Sequence, residues 1–214
     1  MRRFVIGVVV VGLGVGLTAP AFATGRQIIC WTSVSGNAIP FWGANYNGMR
    51  FQTLIDQNQI GYAGKINQVE FNNSAARGAR FNAYKLILCH CGTTNLSNRF
   101  QDNYKGVAVL AANLSSFTVP AYPGWFGLGM TTATFNYNNT DHLLIEIQWL
   151  GDNGATISTR TGAVQTGRHR IWQYNNPQAP VGMGDGRTYY TRLSFNSYSG
   201  AKPTSLGRVK AIFE

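Results

Sequence analysis

The chain has 214 residues, of which 12% are charged, 13% are aromatic and 25 are glycine, and its formal net charge is +10. Charged residues stand far below the ~25% of an average soluble protein, which excludes a coiled coil or a charge-laced helical bundle. The aromatic content excludes a disordered polymer, and the length suits one domain of short strands and many turns.

The first 23 residues read as an export signal. Arg2 and Arg3 open the chain, an apolar run extends from Phe4 to Leu17, and Ala21-Phe22-Ala23 supplies a small-x-small cleavage site. The apolar run is short for a ~30 Å hydrocarbon core. The expectation is a signal peptide at 1–23 and a β-sandwich domain at 24–214, without stable membrane insertion after cleavage. The product is secreted, extracellular or on the cell surface, with the periplasm as the other compartment. Loss of two of the 18 basic residues leaves a net charge of +8. The remaining cations are scattered, the tightest group being Arg168-His169-Arg170, so no nucleic-acid partner is expected.

Strand patterns then recur at short spacing. Met49 to Ile55 is β-prone. Ile66, Val69 and Phe71 mark a strand whose offset spacing predicts a bulge. Between Phe81 and Cys91, Tyr84, Leu86 and Leu88 alternate with Lys85, Ile87 and Cys89. Gly106 to Leu110 and Phe117 to Val119 read as short strands and Trp125 to Phe135 as a longer one. In Leu143 to Leu150, Leu143, Ile145, Ile147 and Trp149 share one face, with Glu146 and Gln148 on the other. Thr156 to Thr161, His169 to Tyr174, Tyr189 to Phe195 and Gly207 to Phe213 complete the set. Asn/Gly-rich clusters, including Gly182 to Gly186, read as turns between them. About eleven strands and no long helix predict an all-β fold: a single antiparallel β-sandwich, jelly-roll-like, without internal repeats.

Three cysteines follow the cleavage site. Outside the cytoplasm Cys30 is expected to pair with either Cys89 or Cys91. Adjacent strand residues face opposite ways, so His90 cannot join those two thiols around a metal. No metal site and no cofactor signature is recognised.

Several segments, in order, resemble a β-sandwich domain that recurs in secreted bacterial surface proteins. They are Pro40-Phe41 through Met49-Arg50-Phe51-Gln52-Thr53-Leu54; Gln59-Ile60-Gly61 with Gly64-Lys65-Ile66; Leu88-Cys89-His90-Cys91-Gly92-Thr93-Thr94-Asn95-Leu96; and Trp125 to Tyr137 followed by Leu143-Leu144-Ile145-Glu146-Ile147. The resemblance covers most of residues 38–150. Cys89 and Cys91 depart from it by replacing small or hydroxyl residues, and Asp141-His142 by standing where a turn residue and Asn are more usual. The resemblance implies a surface or matrix module with no catalytic residues to carry over.

Three functions fit. The first is a non-catalytic surface protein acting by self-association or adhesion, its partner a homopolymer or another envelope component. The apolar segment from Thr24 to Val34 then either forms the first strand of its own sheet or pairs with a neighbour's open edge. The second is a carbohydrate-binding module with a glycan partner. Its candidate rings are Trp42, Tyr46, Tyr122, Trp125, Trp172 and Tyr174, with Tyr189 and Tyr190 close behind, while Trp125 and Trp149 also fit core positions. The third is a jelly-roll retaining glycoside hydrolase using Glu70 and Glu146, which requires the two carboxyls to stand about 5 Å apart.

Overall fold

The computed structural model describes residues 25–33 and 35–196. The export signal and the expected strand at Gly207 to Phe213 lie outside them. The described strands are β1 (Arg26–Cys30), β2 (Ser35–Asn37), β3 (Gly48–Ile55), β4 (Gly64–Asn73), β5 (Ala79–Cys91), β6 (Lys105–Val119), β7 (Gly124–Gly127), β8 (Phe135–Tyr137), β9 (His142–Leu150), β10 (Thr159–Val164), β11 (Arg170–Tyr174), β12 (Met183–Asp185), β13 (Arg187–Tyr189) and β14 (Thr191–Phe195). A single helical turn, α1 (Gln57–Ile60), follows β3. All strand pairs are antiparallel and form two sheets. The first runs β1-β14-β4-β10-β13, with β2 on β10 and both β7 and β8 on β4; the second runs β12-β11-β3-β9-β5-β6. The fold is thus an all-β sandwich.

Alternation explains the main core. In β9 Leu143, Ile145, Ile147 and Trp149 turn inward, as the sequence pattern predicts, and meet Phe51, Leu86, Leu88, Val69 and Phe71 between the sheets. The expected bulge in β4 is present, as a register shift against Ser194 and Phe195. The outer face of the second sheet is covered as well. There Leu54, Cys89, Cys91 and Leu144 pack under Leu96, Phe100 and Ala179, which come from the β5–β6 and β11–β12 connections. This second layer buries β9 on both faces, including Glu146.

Other elements differ from the sequence reading. Gly106 to Val119 belongs to one fifteen-residue strand, because β5 pairs along its whole length. The predicted strand from Trp125 to Phe135 is split into β7 and β8: Leu128 still donates to Val69 O, in line with the β7–β4 register, and Gly129 (φ 76°) then turns the chain. Gly182 to Gly186 is not a simple turn, since Met183 to Asp185 pair with β11. A Cβ on Gly184 would meet Arg170 O at 2.4 Å, so glycine is what lets the chain lie this close.

The expected disulfide is not formed. Cys30, Cys89 and Cys91 are free and buried. Cys30 lies in the core between the sheets, whereas Cys89 and Cys91 face outward into the second layer, so the second sheet separates Cys30 from both. Burial pushes the Cys30 thiol up to about 12 and raises Cys89 and Cys91 as well. Thiolate is the reacting form, so native protein is expected to resist iodoacetamide. Without reductant, unfolded protein should gain three labels by mass spectrometry; a gain of one would mean that a disulfide exists.

Candidate functional site

One end of the sandwich gathers aromatic rings from distant segments. The chain before β3 crosses this end, and Trp42 bridges to Thr156. Gly43 permits the crossing, since a Cβ there would meet Ala155 O at 2.4 Å. Asn175 joins the ends of β3 and β11. Its left-handed backbone (φ 59°) turns the chain, its side-chain oxygen accepts Asn47 N–H at 2.8 Å, and its own N–H donates to Gly48 O at 2.8 Å. These bonds bring Tyr46 onto Tyr174, stacked at 3.8 Å and 13°. Trp42 meets both rings edge-on, at 5.2 Å from Tyr46 and 6.1 Å from Tyr174. All three are half-buried; the exposed Asn45 and Asn47 flank Tyr46 in the chain, and the exposed Asn175 and Asn176 follow Tyr174.

Trp172 lies one row deeper on the same face of β11 and is 9% exposed. The Arg170 guanidinium sits 4.8 Å from its ring centre. Among the described residues, the Trp172 indole N–H has no aligned hydrogen-bond acceptor. Burial raises the Tyr174 hydroxyl pKa, and the nearby Trp172 N–H partly offsets that rise. Arg170 is itself buried between the sheets, bonding both Asp185 oxygens at 2.7 and 2.8 Å, Asn37 Oδ1 at 3.0 Å and the Tyr189 hydroxyl at 2.8 Å. This group forms a polar floor beside Trp172.

Four of the six aromatics expected from sequence therefore meet at this end: Trp42, Tyr46, Trp172 and Tyr174. Tyr122 stands apart in the β6–β7 turn, 57% exposed. Trp125 is not a core residue, because its register partner Asn72 faces outward and its neighbour Phe126 faces inward. Tyr189 is in the core. Asn175 and Arg170 were missed. For Arg170 the available signal is its place two residues before Trp172 on one strand face.

The two glutamates do not converge. Glu70 lies on β4 in the first sheet, facing away from its inward neighbours Val69 and Phe71; Glu146 lies on β9 in the second sheet, on the outer side covered by the second layer. Packed sheets stand about 10 Å apart, so the carboxyls are separated by more than the sandwich core and cannot flank one glycosidic bond. Each is also engaged: Glu70 by Arg192, and Glu146 by Arg50, Gln52, Gln148 and Tyr104. Cys91, His142 and Asp56 occupy one row across β5, β9 and the end of β3. Cys91 donates to Thr93 O at 3.5 Å, and burial raises its thiol pKa.

The fold and this end together define a two-sheet antiparallel β-sandwich with an aromatic, amide-rimmed tip. No protein-family model matches the chain, and no curated protein matches it. Among solved structures it is similar to the clostridial cysteine protease Cwp84 after propeptide cleavage, with 10% identity, a TM-score of 0.45 and coverage of 80% of this chain and 40% of that one. It is also similar to the structure of the cysteine protease and lectin-like domains of Cwp84, a surface layer associated protein of Clostridium difficile. That match has 10% identity and a TM-score of 0.41, and covers 71% of this chain and 33% of that one. The chain thus spans well under half the length of either. Among the described residues no helix is long and apolar enough to cross a membrane.

Proposed function

We propose that the protein is an exported, non-catalytic surface module that works by adhesion, holding a carbohydrate at the Trp42–Tyr46–Tyr174 tip. The observation that carries this reading is the stack of Tyr46 on Tyr174 with Trp42 edge-on, half-buried, with exposed asparagines adjoining Tyr46 and Tyr174 in the chain. Aromatic rings offer apolar surface for a sugar ring at low conformational cost, and the amides supply both donors and acceptors for hydroxyls.

Self-association by strand exchange has less support. Arg26 to Cys30, the segment that could have been donated to a neighbour, pairs with β14 in its own sheet. The longest edge strand, β6, is bulged twice against β5, and bulges are a device that turns an edge away from added strands. Its segment near Ala111 is further covered by Thr131 and Thr132, whose N–H groups donate to Ala111 O. Among the described residues, the remaining free edges are short.

Tyr46→Ala tests the reading. On an array of immobilised glycans the variant is expected to bind the wild-type protein's best ligand at least tenfold more weakly, a loss of about 1.4 kcal/mol. Tyr46 lies outside the main core, so the melting temperature should stay within a few degrees. Unchanged affinity would overturn the assignment.

A further inference from the structure

The tip carries almost no charge, although the chain as a whole has a formal net charge of +10. Three segments meet there: residues 42–48, which hold Trp42 and Tyr46; residues 151–157, which follow β9; and residues 172–176, which hold Trp172 and Tyr174. Together they contain one charged side chain, Asp152. Backbone contacts set that carboxylate beside the ring-bearing loop. Gly151 N–H donates to Asn47 O at 3.0 Å, next to Tyr46, and Ala44 N–H donates to Thr156 Oγ1 at 3.3 Å. Between these two bonds Asp152 lies against Gly43, the residue after Trp42: a Cβ on Gly43 would meet its carboxyl carbon at 2.8 Å. The side chain is partly exposed, and its Oδ1 accepts the Gly154 N–H.

Asp152 differs from every other described carboxylate. Each of those pairs with an Arg, Lys or His, whereas Asp152 has no cationic partner among the described residues. Arg80 is close along the backbone, since Asp152 bridges to Phe81. Bridged residues share a face, and neighbours along a strand take opposite ones. Phe81 is buried in the core, so Arg80 turns to the outer side, away from Asp152. Arg170, beside Trp172, already bonds both Asp185 oxygens. The tip therefore presents one unneutralised anion in a protein otherwise rich in cations.

Resting on the carbohydrate reading of the tip, we infer that Asp152 selects its ligand: an uncharged, hydroxyl-rich glycan whose hydroxyls donate to the Oδ2 that Gly154 leaves free. An ionised carboxylate is an acceptor only, and a hydrogen bond to it is about twice as strong as one between neutral groups. An acidic glycan would set its own carboxylate against Asp152, and like charges side by side suppress a wrong partner. A cationic chain longer than the tip would run over the surplus positive charge outside it. Net charge alone would assign the protein to acidic polymers. The local charge at the rings assigns the opposite.

The test is NMR titration followed by the Trp42 indole N–H signal, so that a polymer held elsewhere on the basic surface is not counted. The neutral ligands are chitohexaose, cellohexaose and mannohexaose, with galacturonate and glucosamine hexamers as the charged comparisons. Wild-type protein is expected to bind at least one neutral hexamer at least tenfold more tightly than either charged one. Asp152→Asn removes the charge and keeps the oxygen that accepts the Gly154 N–H. It should weaken the neutral hexamer at least threefold and cut its margin over the galacturonate hexamer at least tenfold. Equal weakening of neutral and acidic hexamers would show that Asp152 only supports the loop, and unchanged affinities would show no role; either overturns the selection. If Tyr46→Ala abolishes binding while Asp152→Asn changes nothing, the tip stands and the selector falls. If Tyr46→Ala binds as wild type does, the tip reading falls and the role of Asp152 with it. Preference of the wild-type protein for a charged hexamer, or no binding of any neutral one, would overturn the assigned ligand class.

Discussion

Glu146→Ala is expected to destabilise the protein by about 3–5 kcal/mol, the cost of removing one partner from a buried ion pair. Glu146 is fully buried beneath the second layer and receives hydrogen bonds from Arg50, Gln52, Gln148 and the Tyr104 hydroxyl. Arg50 also holds the covering chain, through Ala179 O at 2.8 Å and the Phe100 ring at 4.5 Å. Without the carboxylate, a nearly buried guanidinium and several donors would lose their acceptor together. For a chain of this size the loss corresponds to a fall in melting temperature of about 6–20 °C. Glu70→Ala provides the contrast. Arg192 is partly open to water, so about 1 kcal/mol is expected there. Denaturant unfolding of the two variants checks the prediction; equal losses would contradict it.

The Arg170–Asp185 pair should show an asymmetry. Arg170 is almost fully buried, whereas the Asp185 side chain is 43% exposed. Asp185→Ala strands a cation between the sheets and is expected to cost about 3–5 kcal/mol. Arg170→Met leaves an anion that water can reach, and Tyr189 still donates its hydroxyl to Ile39 O at 2.6 Å. About 1–3 kcal/mol is expected there, mainly from groups left unpaired. The pair also gives a pH dependence. Burial raises the Asp185 carboxyl pKa, but the hydrogen bond and charge of Arg170 outweigh burial and hold it below the ordinary range. A depressed carboxyl contributes stability in full above its unfolded value of about 3.9, and that contribution is lost as pH falls through the folded value. Unfolding measured between pH 6 and 2 should therefore show a smaller acid loss in Asp185→Ala than in wild type.

Period-two alternation made much of the fold legible. It identified the inward faces of β5 and β9, and the spacing of Ile66, Val69 and Phe71 revealed the bulge in β4. It could not reveal the second layer. Leu96, Phe100 and Ala179 arrive from connections distant in sequence, so Glu146 and Gln148 read as solvent-facing when they are covered. The same limit produced the expected cysteine pairing, because strand direction alone does not say that Cys30 and Cys89 lie on opposite sides of a sheet. At the tip the residue types were readable but their meeting was not. Tyr46 and Tyr174 are brought together by Asn175, whose side chain reaches the backbone of Asn47 across 128 positions. Arg170 read as part of a basic cluster, although its strand face places it beside Trp172.

The tip can be tested most directly through the indole N–H signals of the five tryptophans during NMR titration with the best-bound glycan. Trp149 donates to Pro40 O at 2.8 Å inside the core and supplies a fixed reference. Carbohydrate binding at the tip predicts that Trp42 and Trp172 shift saturably while Trp149 stays still. Saturated binding with Trp42 and Trp172 unmoved would contradict it.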